Sequence, residues 1–170
     1  MRSFPLFFCA AISAAFLLTS CGFKPLYNST NEDKRASLIA PKDSITIATI
    51  PNQDGQFLRN LLIDRLYTKG YPENPRYELI IAPISETEQS LAIAKSSEST
   101  RSQLRQTTSM QLRDKQTGGI VLSRDLMAIS SYNILVSEFA TRVTEDNARQ
   151  NGLNDLARQI ELQLALYFNR

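Results

Sequence analysis

The sequence predicts an α+β domain: a four-stranded mixed sheet covered on one face by two helices, in the order β-α-β-β-β-α. Three observations predict it. Residues 101–113 alternate strictly, with Leu104, Gln106, Thr108, Met110 and Leu112 on one face and Gln103, Arg105, Thr107, Ser109, Gln111 and Arg113 on the other. Two other stretches carry an apolar stripe at helical spacing. Between the alternating stretch and the next apolar run stands a turn, residues 114–119, closing on Gly118-Gly119.

Each element has its own signal. Ile45, Ile47 and Thr49 alternate with Thr46 and Ala48 up to Pro51, which reads as a first strand. Asp54-Gly55 then opens a helix, with Asp54 as the expected N-cap. Leu58, Leu61, Leu62, Arg65 and Leu66 fall at i, i+3, i+4, i+7 and i+8, so one face is buried, and Gly70 reads as the C′ residue. Tyr77, Leu79 and Ile81 alternate as a second strand. Pro83 cannot donate to a ladder and marks an edge or bulge, past which Leu91 and Ile93 continue the strand. Residues 95–101 read as a polar loop, and residues 120–132 as the returning fourth strand. Ser137 is the expected cap of a last helix over about residues 138–168. Leu153, Leu156, Ala157, Ile160 and Leu164 carry its stripe, and Gly152 is the weak point, at about 1 kcal/mol relative to Ala.

The N-terminal segment has a different logic. Arg2 precedes an apolar run over residues 4–18, broken by Pro5 and Ser13. A spanning helix needs roughly 20 apolar residues, so the run reads as the core of a secretory signal. It ends in Leu18-Thr19-Ser20-Cys21, which resembles the lipobox of bacterial lipoproteins. That resemblance implies cleavage before Cys21 and acylation of Cys21, so the expected covalent lipid sits there. Two or three acyl chains anchor a protein where one is only marginal. The expected organisation is therefore a signal peptide at 1–20, a lipidated tether at 21–42 and a folded domain at 43–170.

Composition narrows the chemistry. Of 170 residues, 150 remain after the signal, enough for one domain that buries roughly 70% of its unfolded surface. Arg2 leaves with the signal, so the side-chain charge falls from +2 to +1, and no basic field points to nucleic acid. Cys9 lies in the signal and Cys21 is the anchor, which leaves no cysteine for a disulfide, a metal or a nucleophile. There is no histidine and no tryptophan. A Ser-His-Asp triad and the usual zinc sites are excluded, so neither a catalytic site, a metal nor a cofactor is expected.

Five stretches stand out together: Cys21-Gly22-Phe23-Lys24-Pro25-Leu26-Tyr27, Leu58-Arg59-Asn60, the turn at 114–119, Ser131-Tyr132-Asn133 with Phe139-Ala140, and Leu156-Ala157-Arg158-Gln159-Ile160. In them the mature chain resembles the LptE family of lipopolysaccharide-assembly lipoproteins, in its alphaproteobacterial form. The resemblance implies an outer-membrane protein, anchored on the periplasmic side. Its domain would sit one-to-one in the lumen of an LptD-like β-barrel and bind lipopolysaccharide. Only a barrel well above 16–18 strands encloses such a domain.

Lipid A phosphates call for cations. The candidate lipopolysaccharide residues are Lys95, Arg101, Arg105 and Lys115; Arg113 shares the face of Arg101 and Arg105 by even spacing. The candidate barrel contacts are Lys115, Gln116 and Gly118, at the turn. Two other functions fit the same sequence: an auxiliary lipoprotein of a lipid-exporting ABC system, and, more distantly, a periplasmic enzyme.

Overall fold

The computed structural model describes residues 44–67, 70–91 and 101–169. The signal segment, the tether, Cys21 and Lys95 lie outside the described residues. Seven elements follow in order: β1 (Ile45–Ile47), α1 (Asn52–Leu66), β2 (Tyr77–Ile81), β3 (Ser85–Ser90), β4 (Arg101–Asp114), β5 (Ile120–Asn133) and α2 (Glu138–Phe168).

The α+β class and the two helices match the expectation, but the sheet has five strands. It remains four lanes wide. β1 pairs parallel to β2, and β2 pairs antiparallel to residues 110–114 of β4. β3 pairs antiparallel to residues 102–107 of the same β4. Strands β2 and β3 thus share one lane, interrupted at Ala82-Pro83-Ile84. Pro83 is the cause of the break, because it offers no N–H to the ladder. Ala82 still donates to the Ser109 carbonyl at 2.9 Å, and the Thr108 hydroxyl donates to the Ala82 carbonyl at 2.8 Å. A strand does follow Pro83, but it is Ser85–Ser90 and stops before Leu91, and Ile93 lies outside the described residues; its sequence, SETEQS, holds no apolar residue to announce it. β5 pairs with β4 along its whole length, from Arg101↔Asn133 to Arg113↔Ile120, with a register shift at Leu112/Arg113.

The face of β4 that carries Leu104, Gln106, Thr108, Met110 and Leu112 is buried. Helices α1 and α2 cover it, joined to each other by apolar packing and by Arg65–Glu161 at 3.4 Å. The main core unites Leu58, Leu62 and Leu66 of α1 with Leu153, Leu156, Ile160 and Leu164 of α2 over Leu79, Met110 and Leu112. The helix α1 begins at Asn52, three residues earlier than a cap at Asp54 implies. Pro51 stands at its N-cap with no side-chain cap bond, and Asp54 lies inside the first turn, where its charge still favours the dipole. Gly55 is needed for another reason: a Cβ there would sit 2.7 Å from Ile50 Cγ2. Gly70 has φ +102 but lies three residues past the C-cap Tyr67, whose hydroxyl accepts from the Ile47 N–H at 3.0 Å.

Helix α2 starts as expected, with the Ser137 hydroxyl accepting from the Ala140 N–H at 3.4 Å, and it runs unbroken through Gly152. Gly152 is the residue at which helix and sheet touch. A Cβ built there falls 2.2 Å from Gln106 Oε1, and Gln106 is fully buried. The helix interior tolerates the glycine because the sheet requires it.

Two outcomes test this packing. Gly152→Ala should destabilise by about 1–3 kcal/mol through overpacking, although alanine is the better helix former by about 1 kcal/mol. Adding Gln106→Ala should recover part of that loss, and denaturant unfolding of the single and double variants reads the coupling. Ile160→Ala, at a fully buried position, should cost about 2–5 kcal/mol.

Candidate functional site

Two surfaces deserve comparison: the sheet face that no described helix covers, and the polar layer under the first half of α2.

On the uncovered face, alternation places residues 101, 103, 105, 107, 109, 111 and 113 of β4 side by side with neighbours from both lanes. The register gives rows: Thr87–Arg105–Ile129, Ser85–Thr107–Met127 and Gln89–Gln103–Ser131. Where β2 gives way to β3, this face has a groove of about 430 Å³ lined by Ala82, Pro83, Ser85, Thr107, Ser109, Asp125 and Met127. The groove is a direct product of the Pro83 break.

The sequence-derived candidates are spread along this face. Arg101 and Arg105 are exposed near one end of β4. Arg105 forms no ion pair among the described residues. Arg113 is neutralised by Glu78, its cross-strand partner. Lys115, Gln116 and Gly118 are exposed at the turn. Arg105 and Lys115 are ten residues apart, roughly 33 Å of strand, so the structure does not bring Lys115 together with Arg101 and Arg105. Among the described residues no group of three His, Cys, Asp or Glu side chains is placed to hold a metal ion.

The turn is built by one buried carboxylate. Asp114 is 3% exposed. Its Oδ2 accepts from Arg76 Nη2 at 2.9 Å and Nε at 3.2 Å, and its Oδ1 from the Gln116 N–H at 2.8 Å. Its own N–H and carbonyl bond to Gly119 and Gly118. Gly118 takes φ +75, a conformation that favours glycine. Sequence reading found the turn but not Arg76, which reaches it from the neighbouring lane.

The polar layer lies on the helix side. Arg149 of α2 bonds Glu86 of β3 at 3.0 Å, Glu145 at 2.6 Å and Asp146 at 2.8 Å. Glu86 also accepts from Gln106 Nε2 at 2.8 Å. The Tyr132 hydroxyl donates to Glu88, and burial together with that bond pushes its pKa up to about 12. Burial opposes the charge on Arg149, but Glu86 and Glu145 outweigh it and raise its pKa. A cleft of about 480 Å³ opens beside Arg149, against Asp54 and Phe57. Burial, then Glu86, raises the Asp54 pKa, with Arg149 opposing. These charges are satisfied within the fold, and they pin β3 to α2. Sequence analysis missed the layer because Glu86, Gln106 and Arg149 are far apart in the chain.

Asp114 gives a pH signature. Its hydrogen bonds to Arg76 and to backbone N–H groups hold its carboxyl below the ordinary value of 3.8. A lowered folded pKa contributes stability that is present above the unfolded pKa and is lost as pH falls through the folded one. Asp114→Asn should therefore melt below the parent at neutral pH. The gap should close as the medium is taken from about pH 5 toward about pH 1, followed by thermal unfolding.

Comparison with known proteins bears on the fold. No protein-family model matches the chain, and no curated protein matches it. Solved structures do. A candidate lipoprotein from Caulobacter crescentus matches at 23% identity over 79% of this chain and 98% of its own, with a TM-score of 0.61. A minor lipoprotein from Acinetobacter baumannii matches at 26% identity over 72% and 89%, with a TM-score of 0.55. The rare lipoprotein B of Shewanella oneidensis, at 12% identity, shares the fold over 72% of this chain and 92% of its own, with a TM-score of 0.56. The β-α-β-β-β-β-α chain thus has the fold of these three bacterial proteins.

Proposed function

We infer that the chain is an outer-membrane lipoprotein, held by acyl groups on Cys21, that works by contact and not by catalysis. Its partner in this reading is a large LptD-like β-barrel, bound one-to-one, and its cargo is lipopolysaccharide on its way to the cell surface. The observation that carries the reading is the fold shared with bacterial lipoproteins across nearly the whole described domain, taken with the lipobox-like Leu18-Thr19-Ser20-Cys21. The geometry suits it. A plug must present polar groups to a polar lumen. The uncovered face offers Gln103, Arg105, Thr107, Ser109 and Gln111. The β4–β5 hairpin rises through thirteen steps, about 43 Å, more than the roughly 30 Å of a hydrocarbon core. Its tip is short and fixed by Asp114.

Photocrosslinking from Lys115 and Gln116 in intact cells tests the partner. Adducts with an outer-membrane barrel are expected; adducts confined to inner-membrane transporter subunits would transfer the protein to the lipid-exporting ABC reading. Reversing Lys95, Arg101 and Arg105 together should weaken lipopolysaccharide binding while the melting temperature stays near the parent's. Binding that survives the triple reversal would move the lipid site elsewhere.

A further inference from the structure

The domain carries an apolar corner that neither reading above uses. Between β5 and α2 the chain runs Ile134-Leu135-Val136, and Phe139 and Val143 follow one turn apart on α2. All five are exposed; Val136 is fully so and Phe139 is 79% exposed. The exposure is held in place. The Leu135 N–H donates to Thr141 Oγ1 at 2.8 Å, and the Thr141 hydroxyl lies 3.1 Å from the carbonyls of Leu135 and Ser137. Thr144 Oγ1 lies 3.1 Å from the Asn133 carbonyl. A polar brace therefore presents apolar side chains to the outside.

Cations stand near them. Arg101 is the register partner of Asn133, next to the corner, and Arg105, the partner of Ile129, lies four residues, about 13 Å, back along β4. Arg142 projects from the same helical turn, 74% exposed, with only a 3.8 Å approach to the still more exposed Glu138. An apolar prong rimmed by exposed cations is the pattern of a surface that enters the boundary between lipid headgroups and acyl chains. A polar barrel lumen has no use for Val136 and Phe139.

We propose that this corner is a docking site for an anionic lipid bilayer, with Val136 and Phe139 inserted at the headgroup level and Arg101, Arg105 and Arg142 over the phosphates. The reach of the chain allows it. The domain begins at the other end of the sheet, since Ile45 pairs with Tyr77 and Tyr77 with Asp114. Entry point and corner are therefore about 43 Å apart along β4. The 22 residues between Cys21 and Ser44 extend to about 75 Å at most, so the corner can lie on the bilayer that holds the anchor. No described helix is long and apolar enough to cross a membrane.

The chain has no tryptophan, which makes it its own blank. Val136→Trp, Phe139→Trp and, at the far end, Tyr71→Trp are placed singly in the full chain and bound to phosphatidylglycerol–phosphatidylcholine vesicles with brominated acyl chains. Thermal melts matching the parent's confirm folding. Quenching and a blue shift are expected at 136 and 139 and not at 71. Arg105→Gln and Arg142→Gln in the Phe139→Trp chain should each lower the docked-to-undocked ratio about fivefold, at roughly 1 kcal/mol per cation. Equal quenching at 71 and 139, or none at 139 in vesicle-bound protein, overturns the proposal. So does a shift at 139 seen only when a barrel protein is added, which would make the occupant a protein. The outcome is separate from the crosslinks at Lys115 and Gln116, so either result can fail alone.

Discussion

The strand β4 is the constraint on which the rest of the structure depends. β2, β3 and β5 all hydrogen-bond to it, and β1 is attached only through β2. Its fourteen residues alternate without a lapse, and a slip of one residue would exchange Leu104, Met110 and Leu112 for Gln103, Ser109 and Gln111 in the core. The hairpin turn fixes that register from one end. Asp114 is both the last residue of β4 and the acceptor that organises the turn, so strand and turn specify one another.

The helix-covered face is apolar over only part of its length. Under the second half of α2 it is packed with Leu, Ile and Met; under the first half a small cluster of Leu104, Tyr132 and Ala148 lies among Gln106, Ser102 and the carboxylates of β3. Arg149 joins these to the helix. Exposed ion pairs contribute little, but Arg149 and Glu86 are both about three-quarters buried on their side chains. Breaking such a pair leaves a buried charge without its partner, whereas replacing the pair by apolar residues can be neutral. The layer is therefore better read as fixing which strand lies under which helical turn. Gly152 serves the same end: it lets the helix descend onto Gln106, whose amide is already oriented by Glu86.

What the sequence made legible follows from periodicity. Strong alternation placed β4, and helical stripes placed both helices, but whether α2 bends at Gly152 was not legible; the structure shows it unbroken. The turn was legible from Gly118-Gly119. Strand β3 was not, because its residues are polar throughout and its place is dictated by β4, not by its own pattern. The start of α1 was misjudged by three residues because Pro51 and Asn52, with φ +68, make the entry without a capping side chain. Of the candidate site residues, those on β4 could be put on one face, but their separation along it could not be weighed against the positions of Glu78 and Arg76, which arrive from another lane.

The two ends of the hairpin differ in chemistry, and the difference has a structural origin. At the turn end the backbone groups are satisfied by the Asp114 and Thr117 side chains and by the Arg76 carbonyl, and the exposed side chains are Lys115, Gln116 and Thr117. At the other end the backbone is satisfied by Thr141 and Thr144, and the exposed side chains are Ile134, Leu135, Val136 and Phe139. Both ends are braced by side-chain hydrogen bonds, so neither display results from a slack loop. A bracing network that spends threonines to hold valine and phenylalanine in water works against the hydrophobic effect in the isolated domain. Exposed apolar groups grouped in one patch mark an interaction site. The braced polar tip suits a polar surface and the braced apolar corner a lipid one, which are the two contacts proposed above for the ends of the strand that organises the domain.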